Sequence, residues 1–88
     1  MILKQAMAGT MESSDCIMTV YKKPGITIKI ESTVIKQFGK QIRQVIENTL
    51  SAHKIQDVFV HCQDKGALDY AIEARLVTAL RRLGEIDA

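Results

Sequence analysis

Ile26-Thr27-Ile28-Lys29-Ile30-Glu31 places an isoleucine at every second position. Successive side chains of a strand point to opposite faces, so this segment is a strand with one apolar and one wet face. Directly after it, Val34, Ile35, Phe38, Ile42, Val45, Ile46 and Leu50 recur at steps of three and four, the spacing of one helix face. Ser32 or Thr33 is placed to cap this helix, which fades around Ala52-His53. Gly39 inside it costs about 1 kcal/mol relative to alanine and marks a kink or a tight approach to the sheet. Val58-Phe59-Val60 is then a continuous apolar run, suited to a strand at the sheet centre or covered on both faces. A strand, a helix and a second strand in this order imply a right-handed crossover.

The remaining elements follow from the same periodicities. Cys16-Ile17-Met18-Thr19-Val20-Tyr21 is rich in β-branched and aromatic residues and reads as a strand. Lys23-Pro24-Gly25 is strong turn chemistry, so residues 16–21 and 26–31 are expected to pair as a hairpin. Asp64-Lys65-Gly66 turns the chain into a second helix, with Asp64 as its cap. Leu68, Ile72, Leu76, Leu80 and Leu83 form the apolar stripe of that helix. Arg81 and Arg82 suit the negative end of its dipole, and Gly84 stops it. The expected fold is α+β, with the order strand, strand, helix, strand, helix. A small mixed sheet carries both helices on one face, and residues 3–8 are a candidate extra edge strand. The Ile26, Ile28 and Ile30 face is expected to share one core with Ile42, Ile46, Leu76 and Leu80.

Eighty-eight residues make one domain, spanning 1–88, that buries roughly 60–65% of its unfolded surface. Little architecture is left for a deep, rigid active site. Twelve basic and ten acidic residues give a net charge of +2, with two Phe, two Tyr and no Trp. Scattered charge and few stacking side chains speak against nucleic acid as a partner. The N-terminal MILKQAMAGT is too short an apolar run for a secretory signal. No stretch approaches the roughly 20 apolar residues of a membrane span. A cytoplasmic location is expected, with no membrane partner. Cys16 and Cys62 lack CxxC spacing and suit buried small hydrophobes better than a disulfide.

Catalytic chemistry is hard to assemble from these residues. A triad needs a base in reach of a nucleophile; the two histidines, His53 and His61, stand at element ends with nothing tying them to a serine. No spacing resembles a zinc set, and no Gly-rich phosphate loop is present. Asp69 and Glu73 lie four apart near the start of the second helix, where the dipole and solvation account for them. Ala8-Gly9-Thr10-Met11-Glu12-Ser13-Ser14-Asp15 is left: a turn, a helix cap, or a place where something is attached. Its small residues give an enzyme room to approach, its acids keep it in water, and a primary hydroxyl can accept a phosphodiester.

This segment resembles the attachment motif of the acyl carrier (gamma) subunits of citrate lyase, in which AGT is followed usually by Leu, then by Glu-Ser, by Gly or Ser, and by Asp. The similarity continues through Lys36-Gln37-Phe38-Gly39, Ile42-Arg43, Asp64-Lys65-Gly66-Ala67-Leu68-Asp69 and Ala74-Arg75-Leu76. Met11 for leucine is the one departure in the motif. The resemblance implies a covalent cofactor, 2'-(5''-phosphoribosyl)-3'-dephospho-coenzyme A, on Ser13, with Gly9, Thr10, Glu12, Ser14 and Asp15 as the flanking recognition motif and residues 8–15 as the attachment loop. It implies a non-catalytic carrier whose partners are a prosthetic-group transferase and two larger subunits. The alpha subunit exchanges acetyl for citryl on the cofactor thiol, releasing acetate, and the beta subunit cleaves the citryl thioester to oxaloacetate. A malonate decarboxylase carrier is the nearest alternative, followed by a small α+β regulatory or ligand-binding module and an independent enzyme.

Overall fold

The computed structural model describes residues 4–86. Strands β1 (Gln5–Gly9), β2 (Cys16–Tyr21), β3 (Ile26–Ser32) and β4 (Val58–Asp64) form one mixed sheet. Helices α1 (Ile35–Ala52) and α2 (Asp69–Leu83) pack on it, α1 along β3 and α2 along β1 and β2. The two-layer α+β architecture agrees with the periodicities. The candidate edge strand at 3–8 exists as β1, displaced to Gln5–Gly9; residue 3 lies outside the described residues. Among the described residues no helix is long and apolar enough to cross a membrane.

The strand order corrects one expectation. Strands β2 and β3 do not form a hairpin, because the order is β1-β2-β4-β3. Strand β4 lies between them, antiparallel to β2 and parallel to β3. Two strand spacings, about 10 Å, therefore separate β2 from β3. The Pro24-Gly25 turn crosses that gap and delivers its hydrogen bonds to the start of β4. Val58 N–H donates to the Gly25 carbonyl at 2.9 Å, and Gly25 N–H donates to Asp57 Oδ1 at 2.9 Å. Gly25 has φ +77°, so the turn chemistry operates as read but feeds a different neighbour. Strand β4 thereby gains a partner on each side.

The helix-facing side of the sheet supplies Met18, Val20, Val58, Val60 and Cys62, all fully buried, against Ile46, Leu50, Ile72, Leu76 and Leu80. Isoleucines 28 and 30 point to this core as the alternation requires, paired with Val60 and Cys62, and Lys29 stays outside. They are only partly buried because β3 is an edge. Ile26, at the open end of that edge, is 49% exposed and does not join the core.

The helix starts also differ from expectation. Val34, not Ser32 or Thr33, is the N-cap of α1, and no side chain caps it. Ser32 instead donates its hydroxyl to Asp64 Oδ2 at 2.7 Å and accepts from Val34 N–H. Leu68, not Asp64, precedes α2. Asp64 folds back on the turn after β4, accepting from Gly66 N–H at 3.0 Å and Ala67 N–H at 2.9 Å. Gly39 lies within α1, and a methyl group there would meet only the Ile35 side chain, not the sheet. At the C-termini the reading holds: His53 ends α1, and Gly84, at φ +93°, ends α2.

Burial ranks the core substitutions. Ile46→Ala should cost about 2–5 kcal/mol in denaturant unfolding. Ile28→Ala should cost about half as much, roughly 1–2 kcal/mol, because the edge leaves it half in water. Lys29→Ala should stay within about 0.5 kcal/mol; a loss at Lys29 larger than that at Ile28 would mean the opposite register.

Candidate functional site

Residues 10–15 connect β1 to β2, whose last pair is Gly9 with Ile17. The loop is narrow at its base. Gly9 has φ +110°, and a β-carbon there would stand 1.8 Å from the Cys16 carbonyl oxygen, so only glycine fits. Thr10 N–H donates to that same carbonyl at 3.1 Å. Ala8 is buried in the core, so its small size serves packing.

One carboxylate holds the loop. Asp15 Oδ1 accepts from Cys16 N–H at 2.7 Å and Arg75 Nε at 3.1 Å. Asp15 Oδ2 accepts from Thr10 Oγ1 at 2.6 Å and Arg75 Nη2 at 2.8 Å. The two guanidinium bonds form a bidentate pair, the geometry in which arginine holds carboxylates best. Thr10 Oγ1 in turn accepts from Glu12 N–H at 3.2 Å. Arg75 first, then the Thr10 hydroxyl and the Cys16 amide, hold the Asp15 carboxyl well below the usual carboxylate range.

With its base fixed, the loop presents a four-residue turn. Asp15 N–H donates to the Glu12 carbonyl at 3.2 Å, which leaves Ser13 and Ser14 at the two tip positions. Both are exposed, and the Ser13 hydroxyl makes no hydrogen bond among the described residues. Ser14 has φ +64°, a left-handed conformation that glycine adopts without strain. This gives a physical reason for the Gly-or-Ser choice at that place in the resembled motif. Ser14 is also anchored: its N–H donates to the Lys65 carbonyl at 2.8 Å, and Lys65 N–H donates to the Asp15 carbonyl at 2.9 Å. The turn after β4 thus braces the loop from the side.

The motif residues therefore gather at one end of the sheet, each with a distinct position. Gly9, Thr10 and Asp15 shape the base, Glu12 supplies the carbonyl that closes the turn, and Ser13 projects from it. Arg75, sixty residues away from Asp15 in sequence, was given no role by the sequence reading. Nothing in the spacing of α2 marks its partner. The histidines are elsewhere: His53 ends α1, and His61 Nε2 lies 3.0 Å from Glu31 Oε2 on the sheet face away from the helices. Asp69 accepts from Gln41 of α1 at 2.9 Å, and Glu73 is exposed. Cys16 and Cys62 are fully buried free thiols on adjacent strands. The contact with Cys16 and burial push the Cys62 thiol up.

Three consequences can be measured. Gly9→Ala should destabilise the protein by about 3 kcal/mol, from backbone strain added to the clash with Cys16. Ser14→Gly should stabilise it by about 0.5–1 kcal/mol. The Asp15 contribution has a definite sign with pH. Its folded-state pKa is depressed, so its stabilisation is complete above the ordinary carboxylate pKa of about 4 and drains away as pH falls below it. Amide exchange at Glu12 and Cys16 should report this loss, and Arg75→Gln should move it to higher pH.

Comparison with known proteins gives the chain its relatives. A family model described as malonate decarboxylase delta subunit (MdcD) matches residues 3–83. The citrate lyase acyl carrier protein of Halothermothrix orenii is 51% identical over 84 residues, covering 92% of this chain and 87% of that protein. The citrate lyase acyl carrier protein of Latilactobacillus sakei is 52% identical over 90 residues, covering 99% and 89%; that of Streptococcus uberis is 49% identical, covering 98% and 86%. Among solved structures, a chain of a Pseudomonas malonate decarboxylase hetero-tetramer in complex with malonate shares the fold. Its TM-score is 0.70 at 17% identity, over 91% of this chain and 84% of that one. At about half identity over nearly its whole length, the chain belongs to the citrate lyase acyl carrier protein family.

Proposed function

We propose that this chain is the non-catalytic acyl carrier subunit of a citrate lyase, and that Ser13 Oγ holds a 2'-(5''-phosphoribosyl)-3'-dephospho-coenzyme A group through a phosphodiester. The observation that carries this conclusion is the Ser13 side chain itself, a free primary hydroxyl at the tip of a turn whose base is fixed by Asp15 and Arg75. The site suits a large substituent. Ser13 is exposed, its hydroxyl has no competing partner among the described residues, and neither tip residue is needed in the core.

The group supplies a thiol that carries acetyl or citryl as a thioester; everything else here belongs to the protein. Arg75 and Asp15 fix the direction in which Ser13 leaves the domain. The Lys65 backbone stops the turn from folding away, and the exposed Glu12 keeps the tip hydrated. Acyl exchange and citryl cleavage fall to the alpha and beta subunits, and loading falls to a transferase that meets the loop. Tethering gives the thioester roughly millimolar effective concentration at each partner site. A carrier of this kind needs a firm root for its arm and a small stable body.

The matched family description and the shared fold favour a second reading, a malonate decarboxylase carrier. Reconstitution separates the two. The loaded chain should restore citrate cleavage to citrate lyase alpha and beta subunits and should not restore malonate decarboxylation to the corresponding complex.

The site assignment is tested by intact mass and peptide mapping of protein made with and without the modifying genes. The added mass should map to Ser13. Ser13→Ala should abolish loading while changing stability by no more than about 0.5 kcal/mol, and Ser14→Ala should still load. A loaded Ser13→Ala protein would overturn the assignment. The purified carrier alone should not cleave citrate, and alkylating its prosthetic thiol should stop turnover of the complex. Cys16 and Cys62, being buried, should react slowly in the bare chain.

A further inference from the structure

The apolar stripes of both helices extend past the core at the same end of the molecule. Phe38, in the first turns of α1, is 46% exposed, and Leu68, just before α2, is 61% exposed. With Val34, Ile42, Ala67 and Ile72 they wall a groove of about 300 Å³ between the two helix starts. A hydrogen bond from Gln41 Nε2 to Asp69 Oδ1, 2.9 Å long, links the helices there. That volume is at the small end of ligand sites. Large side chains left half in water beside a groove usually mark something that covers them.

The groove lies beside the candidate attachment loop. Ser14 N–H is bonded to the Lys65 carbonyl, and the residues directly after Lys65, Gly66 to Leu68, form one wall of the groove. Anything joined to Ser13 is therefore held close to it. Asp69 and the buried Asp64 are among the lining residues, which include no lysine or arginine. The groove suits a neutral chain of methylene, methyl and amide groups and disfavours an anionic one.

We infer that this groove is a resting site for the neutral pantetheine stretch and acetyl end of the group on Ser13, and that it turns out the anionic citryl form. The inference rests on the carrier function proposed above. Val34, Phe38, Leu68 and Ile72 take the apolar part, and Gln41 faces the amides. At an effective concentration in the millimolar range, even a weak site is substantially occupied. The acetylated carrier is sheltered between encounters, whereas the citryl carrier extends its arm toward the subunit that cleaves it.

The test uses the full-length chain, bare and loaded with the thiol, acetyl and citryl forms of the group, loading at Ser13 being verified by intact mass. In two-dimensional amide NMR, acetyl loading should shift Phe38, Leu68 and Ile72, and citryl loading should shift them much less. Leu68→Asp, at an exposed position, should fold normally and remove the acetyl-dependent shifts. The same variant should raise the reaction rate of the loaded thiol with a neutral alkylating reagent by about two- to tenfold, the range for a site with sub-millimolar to millimolar affinity. A correctly loaded chain whose groove residues do not move overturns the inference and leaves the carrier function standing. So do shifts that survive Leu68→Asp, and equal shifts from acetyl and citryl. A Leu68→Asp chain that weakens only binding of the larger subunits makes the groove a protein-docking surface and also overturns it. Absence of the mass on Ser13 in the presence of the transferase overturns both.

Discussion

Strand β4 pairs with β2 on one side and with β3 on the other, and the rest of the molecule depends on that placement. It joins the antiparallel β1–β2 unit to the parallel β3–α1–β4 unit, and its helix-facing side chains Val58, Val60 and Cys62 are fully buried. The register sets Cys16 opposite Asp64. Consequently the chain leaving β4 passes beside the β1–β2 loop, and Lys65 exchanges backbone hydrogen bonds with residues 14 and 15. A β2–β3 hairpin with β4 at the edge would leave that loop unsupported.

On this scaffold a single carboxylate organises the loop proposed for attachment. Asp15 accepts four hydrogen bonds, from an amide, a hydroxyl and the Nε and Nη2 of a guanidinium. Because Arg75 belongs to α2 and Asp15 to the loop, the pair ties the tip to the helix layer as well as to the sheet. Charge-assisted bonds of this kind are about twice as strong as neutral ones. They let a loop of small residues keep one shape while its outermost hydroxyl stays free. A rigid root and a tip exposed to solvent are the features on which the attachment proposed at Ser13 rests.

A second polar centre serves the fold. Asp64, nearly fully buried, accepts from the Ser32 hydroxyl and from the amides of Gly66 and Ala67. It joins the end of β3 to the turn after β4, so the start of both helices is set by one side chain. That geometry places the N-terminal parts of the two apolar stripes side by side, beyond the sheet that covers the rest.

Much of the body was legible in the sequence. Period-two alternation identified the inward face of β3, and the three- and four-residue steps identified Ile42, Ile46, Ile72, Leu76 and Leu80, because periodicity reports which face of an element is apolar. The Glu12-Ser13-Ser14-Asp15 stretch was legible as a motif because its residues are adjacent. Tertiary structure alone decided what covers each face and who pairs with whom. The Pro24-Gly25 turn read as a hairpin because turn chemistry is local, whereas the choice between β3 and β4 as the neighbour of β2 depends on which strand the helices cover. Val58, Val60 and Cys62 of β4 are fully buried, and Ile28 and Ile30 of β3 only partly. Phe38 and Leu68 belong to the apolar stripes yet stand exposed, because a stripe does not state where the sheet beneath it ends. The pairing of Arg75 with Asp15 was invisible because the two lie sixty residues apart, and only packing α2 against β1 and β2 brings guanidinium and carboxylate into register.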